Sequence, residues 1–280
     1  MLIREFPSPS TFLRLSANCN VIPVCKEILA DMETPVSLLQ KIVPGDDPLF
    51  LFESVQGGEQ WGRYSFIGTS SQTELVVFRD VVEIRRGESV ERTPHAGDPF
   101  RILREFMEQY RPASLQELPR FWGGLVGYLA YEIISFFEPV PNRLPADVAL
   151  ARFMLPDLLY IFDNVSHTLQ IVAIAFLDDH DRPQEAYSAA RRQIDDALLL
   201  VQNDPPAASE HAVPIGALQA MDEADSFRNG VRRVKDDIRN GEIITICRIA
   251  SNSASTATTT IDLNSFFCCI VSPPLRLYND

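Results

Sequence analysis

The sequence predicts an α/β fold of the α+β type, and three observations carry that prediction. Apolar runs of strand length come in pairs around short turns, at LFLFESVQGGEQWGRYSFIG and at LPDLLYIFDNVSHTLQIVAIAF. Longer segments instead repeat apolar residues at helical spacing, from Pro99 and again from Pro183. The bulk numbers agree: 280 residues, 46 % hydrophobic and 22 % charged, suit one large or two modest globular domains with a sizeable core.

Each element has its own local warrant. Thr34-Pro35 opens a short helix, with Thr as N-cap, Pro at the first helical position and Val36, Leu39 and Ile42 on one face. Pro44-Gly45 ends it. The strand from Leu49 stops at the pair Glu53-Ser54; Gly57-Gly58 then turn the chain into a second strand through Tyr64, Phe66 and Ile67. ELVVFRDVVEIRRGE reads as two further strands joined near Arg79-Asp80. Asp98-Pro99 caps a helix whose Phe100, Leu103, Phe106, Met107 and Tyr110 form one stripe.

From Phe121, FWGGLVGYLAYEIISFFEPVP reads as a buried strand in which Gly123, Gly124 and Gly127 allow close backbone approach. A phosphate cradle is rejected there, because neither a Lys-Ser/Thr nor the dinucleotide spacing follows. PNRLPAD is loop. In the second hairpin the turn runs from Asp163 to Thr168, and a long helix from about Pro183 carries Ala190, Ile194, Ala197, Leu198 and Val201 on one face. Gln202 to Pro214 is a surface linker. A last helix begins near Asp225-Ser226, with Phe227, Val231, Val234 and Ile238 as its buried stripe and Gly241 as its cap.

Charge and composition exclude several classes. A net charge of −13 and a pI near 4.8 argue against a nucleic-acid-binding face and against an anionic membrane surface. No apolar run reaches the ~18 residues that span a bilayer. The N-terminus lacks a signal layout, since Glu5 and two prolines interrupt it. Cys19, Cys25, Cys247, Cys268 and Cys269 form neither a disulfide framework nor a zinc pattern. His95, His167, His180 and His211 are scattered through turn-like sequence and read as solvated loop residues rather than ligands. The expected compartment is a reducing cytoplasm.

Glu53 and Ser54 at a strand end, with Arg63 across the turn, are the candidate binding groups. A carboxylate accepts from an ammonium, while a hydroxyl and a guanidinium can hold a carboxylate or each other. By chemistry alone the reading ahead is the plainer one, the polar ends of a hairpin satisfying one another.

TPVSLLQKI, FESVQGGEQWGRYSFIG, FWGGLVGYLAYE and FFEPVP, with LPDLLYIFDNVSHTLQIVA and VKDDIRNGEII in matching order, resemble the N-terminal half of anthranilate synthase component I. The resemblance covers roughly residues 10 to 244. It implies antiparallel sheets packed against helices, and a complete enzyme that takes chorismate and ammonia, with Mg²⁺, to anthranilate and pyruvate. It implies a glutamine amidotransferase subunit (component II) as partner and L-tryptophan as feedback inhibitor. The family's tryptophan strand reads Leu-Leu-Glu-Ser, matched here by Leu51, Phe52, Glu53 and Ser54, with Arg63 beside them. It assigns no residue of this chain to catalysis or to a metal. A related reading is a fragment of aminodeoxychorismate synthase component I. A reading of another class is a non-catalytic module that binds tryptophan or the amidotransferase.

Residues 1–244 are therefore expected to form the N-terminal domain of that fold, left incomplete, and 245–280 a non-homologous, poorly ordered tail. ASNSASTATTT is uncharged and built of small residues, and FFCCIVSPPLRLYND shows no clean period. A shift of reading frame near Thr245 accounts for such a break, and sequencing the coding nucleic acid across that codon tests it.

Overall fold

The computed structural model describes residues 2–31, 33–42, 48–53, 62–69, 73–203, 224–240 and 267–271. In chain order the strands are β1 (Leu2–Phe6), β2 (Val21–Leu29), β3 (Leu49–Phe52), β4 (Tyr64–Thr69), β5 (Thr73–Val77) and β6 (Val81–Arg86). They continue as β7 (Ser89–Pro94), β8 (Leu125–Leu129), β9 (Ala151–Leu155), β10 (Leu158–Asp163), β11 (Thr168–Phe176) and β12 (Phe267–Val271). The helices are α1 (Pro9–Leu15), α2 (Pro35–Ile42), α3 (Pro99–Glu108), α4 (Pro183–Gln202) and α5 (Ala224–Arg239). The fold is α+β, as the hairpins implied, with two antiparallel sheets and helices packed on them.

The first six-stranded sheet has the order β1-β2-β11-β10-β4-β3, and the second β12-β8-β9-β5-β6-β7. Both lie in one compact unit, Met1–Pro206 with Ser265–Asp280, while Ala207–Asn264 form another. β2 and β11 pair over nine residues, from Val21↔Phe176 to Leu29↔Thr168, and form the spine of the first sheet. Pro23 sits inside this central strand without breaking it. Its partner Ile174 donates its N–H to Asp157 O (2.8 Å), away from β2. The pair is therefore not hydrogen-bonded, and the nitrogen of Pro23 faces the side of β1, whose register ends at Cys25.

Strand alternation gives the first sheet two apolar faces. One carries Ile22, Val24, Ile67, Ile171 and Ala173 against Phe12 of α1, Leu38 of α2 and Ala186, Ala190 and Ile194 of α4. The other carries Cys25, Leu159, Ile161, Val172 and Ile174, covered by Leu118, Phe121 and Trp122 from the segment after α3. On the second sheet, Leu75, Val77, Val82, Ile84 and Phe153 bury against Ile102, Leu103, Phe106 and Met107 of α3. Each such side chain contributes about 1.5–3 kcal/mol when fully removed from water. Capping follows the sequence signals: Asp98 accepts from the Arg101 N–H (3.0 Å), and Thr34 and Ser37 exchange reciprocal bonds (2.9 and 3.0 Å).

Several expectations are corrected. In α2 Pro35 and Leu38 are buried and Leu39 and Ile42 of the expected stripe pack against the core, but Val36 is exposed, because the inward face runs through positions 35, 38, 39 and 42. The run from Phe121 is strand only over Leu125–Leu129, followed by a 3-10 turn, Tyr131–Phe136, whose residues are half-buried or exposed. The stripe of α5 is not buried: Phe227 is 58 % and Ile238 45 % exposed. His95 is not a solvated loop residue either. It is 2 % exposed, its Nδ1 accepts from the Gly97 N–H (3.1 Å), and its Nε2 therefore donates to Phe78 O (3.2 Å). Apart from these corrections, Phe267–Val271 form β12, which pairs antiparallel with β8 at the edge of the second sheet. Gly57, Gly58 and the remainder of that segment lie outside the described residues, as do Ser54 and Gly241.

Candidate functional site

The hairpin that carried the candidate groups is built as β3 and β4, paired from Leu49↔Thr69 to Phe52↔Phe66. Alternation sends its residues to opposite faces. Leu51 packs on the helix-covered core, while Phe50 and Phe66 join the other face. There Phe50 and Phe52 lie 4.8 Å apart between ring centroids, and Phe66 meets Phe121 edge-on at 5.1 Å. Glu53 follows the strand and is exposed; Ser54 lies outside the described residues.

Arg63 does not reach across to Glu53. Its guanidinium grips Asp163 at the end of β10, through Nε at 3.1 and 3.2 Å and Nη2 at 2.7 Å, and stacks 4.9 Å from the Tyr64 ring centroid. Asp163 also accepts the Val165 and Ser166 N–H groups (3.0 and 3.3 Å), which closes the β10–β11 turn. Burial works to raise the Asp163 carboxyl, but the Arg63 bond and those two amides together hold it below the usual carboxylate range. The same bond pushes the Arg63 guanidinium up. This pair lines a polar crevice of about 540 Å³ with Arg4, Glu27, Tyr64 and Gln170, in which Arg4 is paired with Glu27. Phe52 is not among its walls.

Phe52 lines a different crevice, about 570 Å³, between β3 and the face of the second sheet opposite the one that α3 covers. Pro48, Leu49, Phe50 and Phe52 form one side; Glu74 on β5, Val126 and Tyr128 on β8, and Arg152 and Met154 on β9 form the other. Gly127 lets β8 and β9 close up here, since a Cβ at that position would fall 2.0 Å from the Arg152 carbonyl oxygen. Arg152 and Arg85 approach Glu74 at 3.6 and 3.7 Å, ion-pair distances longer than a hydrogen bond. Next to them Glu83 is buried and tightly held by Arg85 (2.7 Å) and Arg92 (2.8 Å); the Arg85 bond is the main reason its carboxyl lies low. The structure thus brings Phe52 to an aromatic and charged crevice and places Arg63 in another. The charges that face Phe52 across this crevice, Glu74 and Arg152, come from the neighbouring strands β5 and β9, and no sequence motif marks them.

Other chemistry is limited. Burial pushes the Cys25 thiol far up, with Glu27 adding to it, and raises Cys19 less, so neither is an activated nucleophile. Among the described residues no three His, Cys, Asp or Glu side chains come together as a metal-binding group. Among them, too, no helix is long and apolar enough to cross a membrane.

Residues 54–265 match the chorismate binding enzyme family, and the chain belongs to it. It is 32 % identical over 238 residues to anthranilate synthase component 1 of Aquifex aeolicus (strain VF5), covering 83 % of this chain and 48 % of that protein. With anthranilate synthase component 1 of Pseudomonas aeruginosa it shares 32 % over 280 residues, 95 % of this chain and 55 % of the relative. A crystal structure of anthranilate synthase component I from Streptococcus pneumoniae TIGR4 covers 76 % of this chain and 45 % of its own, with a TM-score of 0.46 and 19 % identity. The chain spans about half the length of the curated relatives it matches. The family match runs past residue 244, where the wording of the motifs stops, to residue 265.

Proposed function

We propose that the chain is the regulatory, N-terminal portion of an anthranilate synthase component 1. The observation that carries this reading is the 32 % identity to proteins of that name, running through 83 % of the chain and including the strand built as β3. In this reading the whole protein turns chorismate and ammonia, with Mg²⁺, into anthranilate and pyruvate. A component II amidotransferase releases the ammonia from glutamine, in the cytoplasm. The described residues do not offer a ligand set that fits Mg²⁺, and the chemical step belongs to sequence beyond them.

What this portion contributes is tryptophan sensing. Leu51 ties β3 into the helix-covered core, and Phe52 walls the crevice. Glu53 and Ser54 stand at the strand end, and Arg63 fixes the adjoining β4–β10 corner through Asp163. The domain is taken to run from residue 1 to about 244.

Calorimetry with tryptophan tests the regulatory assignment: weak, saturable binding is expected, and no heat at millimolar ligand would remove it. Purified chain with chorismate, Mg²⁺ and ammonium is expected to form no fluorescent anthranilate. Clear turnover would contradict the division of labour.

A further inference from the structure

We propose that the β8 edge of the second sheet is a self-complementary interface for a second copy of this chain, kept closed by β12. Release of β12 lets two copies pair β8 with β8, antiparallel, about Gly127. None of the residues assigned to tryptophan sensing lies on this edge.

The sheet edges of this fold differ in how they resist a further strand. The first sheet ends on β1 and β3, the second on β12 and β7. β7 carries Glu91, Arg92 and Pro94, and β1 carries Arg4 and Glu5, so both deter pairing. β3 is four residues long and runs into the exposed Glu53. β8, Leu-Val-Gly-Tyr-Leu, has neither charge nor proline, and it is the strand that β12 covers. β12 follows the separate unit Ala207–Asn264 in sequence, and among the described residues it pairs with no other strand. Closing so long a span costs more entropy than closing a hairpin, and a strand with one neighbour opens before the inner ones.

The main-chain groups beneath β12 match a copy of themselves. Ala130 donates its N–H to Leu150 O (2.8 Å), toward β9. Alternation then turns the N–H and C=O of Leu125, Gly127 and Leu129 toward β12, opposite Val271, Cys269 and Phe267. These positions are symmetric about Gly127. Antiparallel pairing of two β8 strands sets Gly127 against Gly127, Leu125 against Leu129 and Val126 against Tyr128. Each hydrogen-bonded pair lost with β12 is thereby replaced by one in the dimer. One patch is used twice, so the contact closes as a two-fold dimer and does not propagate. Leu125 and Leu129 both belong to the α3-covered core, so the joined sheet continues that apolar face.

Cys269→Pro in the full chain tests the proposal, because it removes the central N–H donor of β12. Light scattering after size exclusion is expected to give the mass of one chain for the unaltered protein. For the variant it is expected to give twice that mass, with the dimer fraction rising with concentration. Hydrogen exchange is expected to find the Leu125, Gly127 and Leu129 amides protected in that dimer. A reduced synthetic peptide spanning 265–273 should return the variant to monomer, and the same peptide carrying Cys269→Pro should not. A dimer with those amides unprotected, or one that the peptide leaves intact, places the contact elsewhere and overturns the proposal. A dimer of the unaltered chain, or open-ended growth of the variant, overturns it too, as does a monomeric variant with those amides unprotected. If the variant is monomeric with the amides still protected, β12 has stayed in place, and removal of residues 265–280 decides. A dimer then supports the β8 edge, and a monomer overturns it.

Discussion

Phe50 stands directly opposite Gly68 across β3 and β4, and its ring fills the space that a side chain at position 68 would need. A Cβ there would fall 2.2 Å from Phe50 Cε1. The obstacle is the far end of a side chain that can swing, whereas at Gly127 it is the backbone carbonyl of Arg152, 2.0 Å away. Gly68→Ala is expected to cost about 1 kcal/mol, and Gly127→Ala about 3 kcal/mol because β8 must leave β9. Urea unfolding of the two variants checks the order. In the Phe50→Ala background, Gly68→Ala should add almost nothing, since the clash is gone; an undiminished cost there contradicts the ring as its source.

Asn20 is a buried polar staple. Its Nδ2 donates to Gln109 O (3.0 Å) and to Asp178 Oδ2 (2.8 Å), and its Oδ1 accepts the Arg111 N–H (2.6 Å). It therefore fastens the start of β2 to the chain leaving α3 and to the end of β11. Asn20→Ala leaves those partners unsatisfied and is expected to cost about 2–3 kcal/mol. Asn20→Asp is expected to cost more near neutral pH, because it sets a second carboxylate against Asp178, and to recover as the solution is acidified. Chemical unfolding as a function of pH measures both, and an Asn20→Asp cost independent of pH contradicts the charge argument.

Lys41 joins α2 to the last turn of α4. Its Nζ donates to Glu33 Oε1 (2.5 Å) and to the Val201 carbonyl (2.7 Å), one of the acceptors that a helix end leaves open. Lys41→Met keeps the stem and removes both bonds, so a loss of about 2 kcal/mol is expected. Hydrogen exchange localises the effect: protection should fall in the last turn of α4 and persist in its middle. Uniform loss along α4 would contradict a local role.

The sequence-to-structure relation explains which parts were legible. β10 and β11 were readable because two apolar runs flank a turn that Asp163 itself closes through its side chain. β2 was not, although it is central, because Pro23, Lys26 and Glu27 disguise it. The partners of those charges, Asp195 on α4 and Arg4 on β1, are distant in sequence. β7 carries no apolar alternation to mark it as a strand, since five of its six residues are exposed at a sheet edge. In the candidate site the aromatic wall was visible in LFLF. The facing Glu74 and Arg152 carry no motif, because register alone brings two isolated charges to one face. The partner of Arg63 was hidden for a related reason: the pairing of β4 with β10 delivers it to Asp163, a hundred residues away in sequence.

That last pair makes stability depend on pH in a fixed direction. Asp163 has a folded-state carboxyl held below its ordinary value, so the unfolded chain takes up the proton first as the solution is acidified. Its contribution is therefore fully present above the ordinary carboxylate pKa, about 3.9, and is lost as pH falls through the lower folded value. Asp163→Asn keeps a turn-closing oxygen for Val165 and Ser166 but removes the charge that Arg63 grips. Near neutral pH the unaltered chain is expected to be the more stable of the two, and the gap should close below about pH 4. Added salt should narrow it only modestly, because Asp163 is 8 % exposed and bound bidentately rather than paired across open solvent. Denaturant midpoints of both proteins at stepped pH measure the gap. A difference that persists unchanged into strong acid would assign the stability to the turn amides instead of the Arg63 pair.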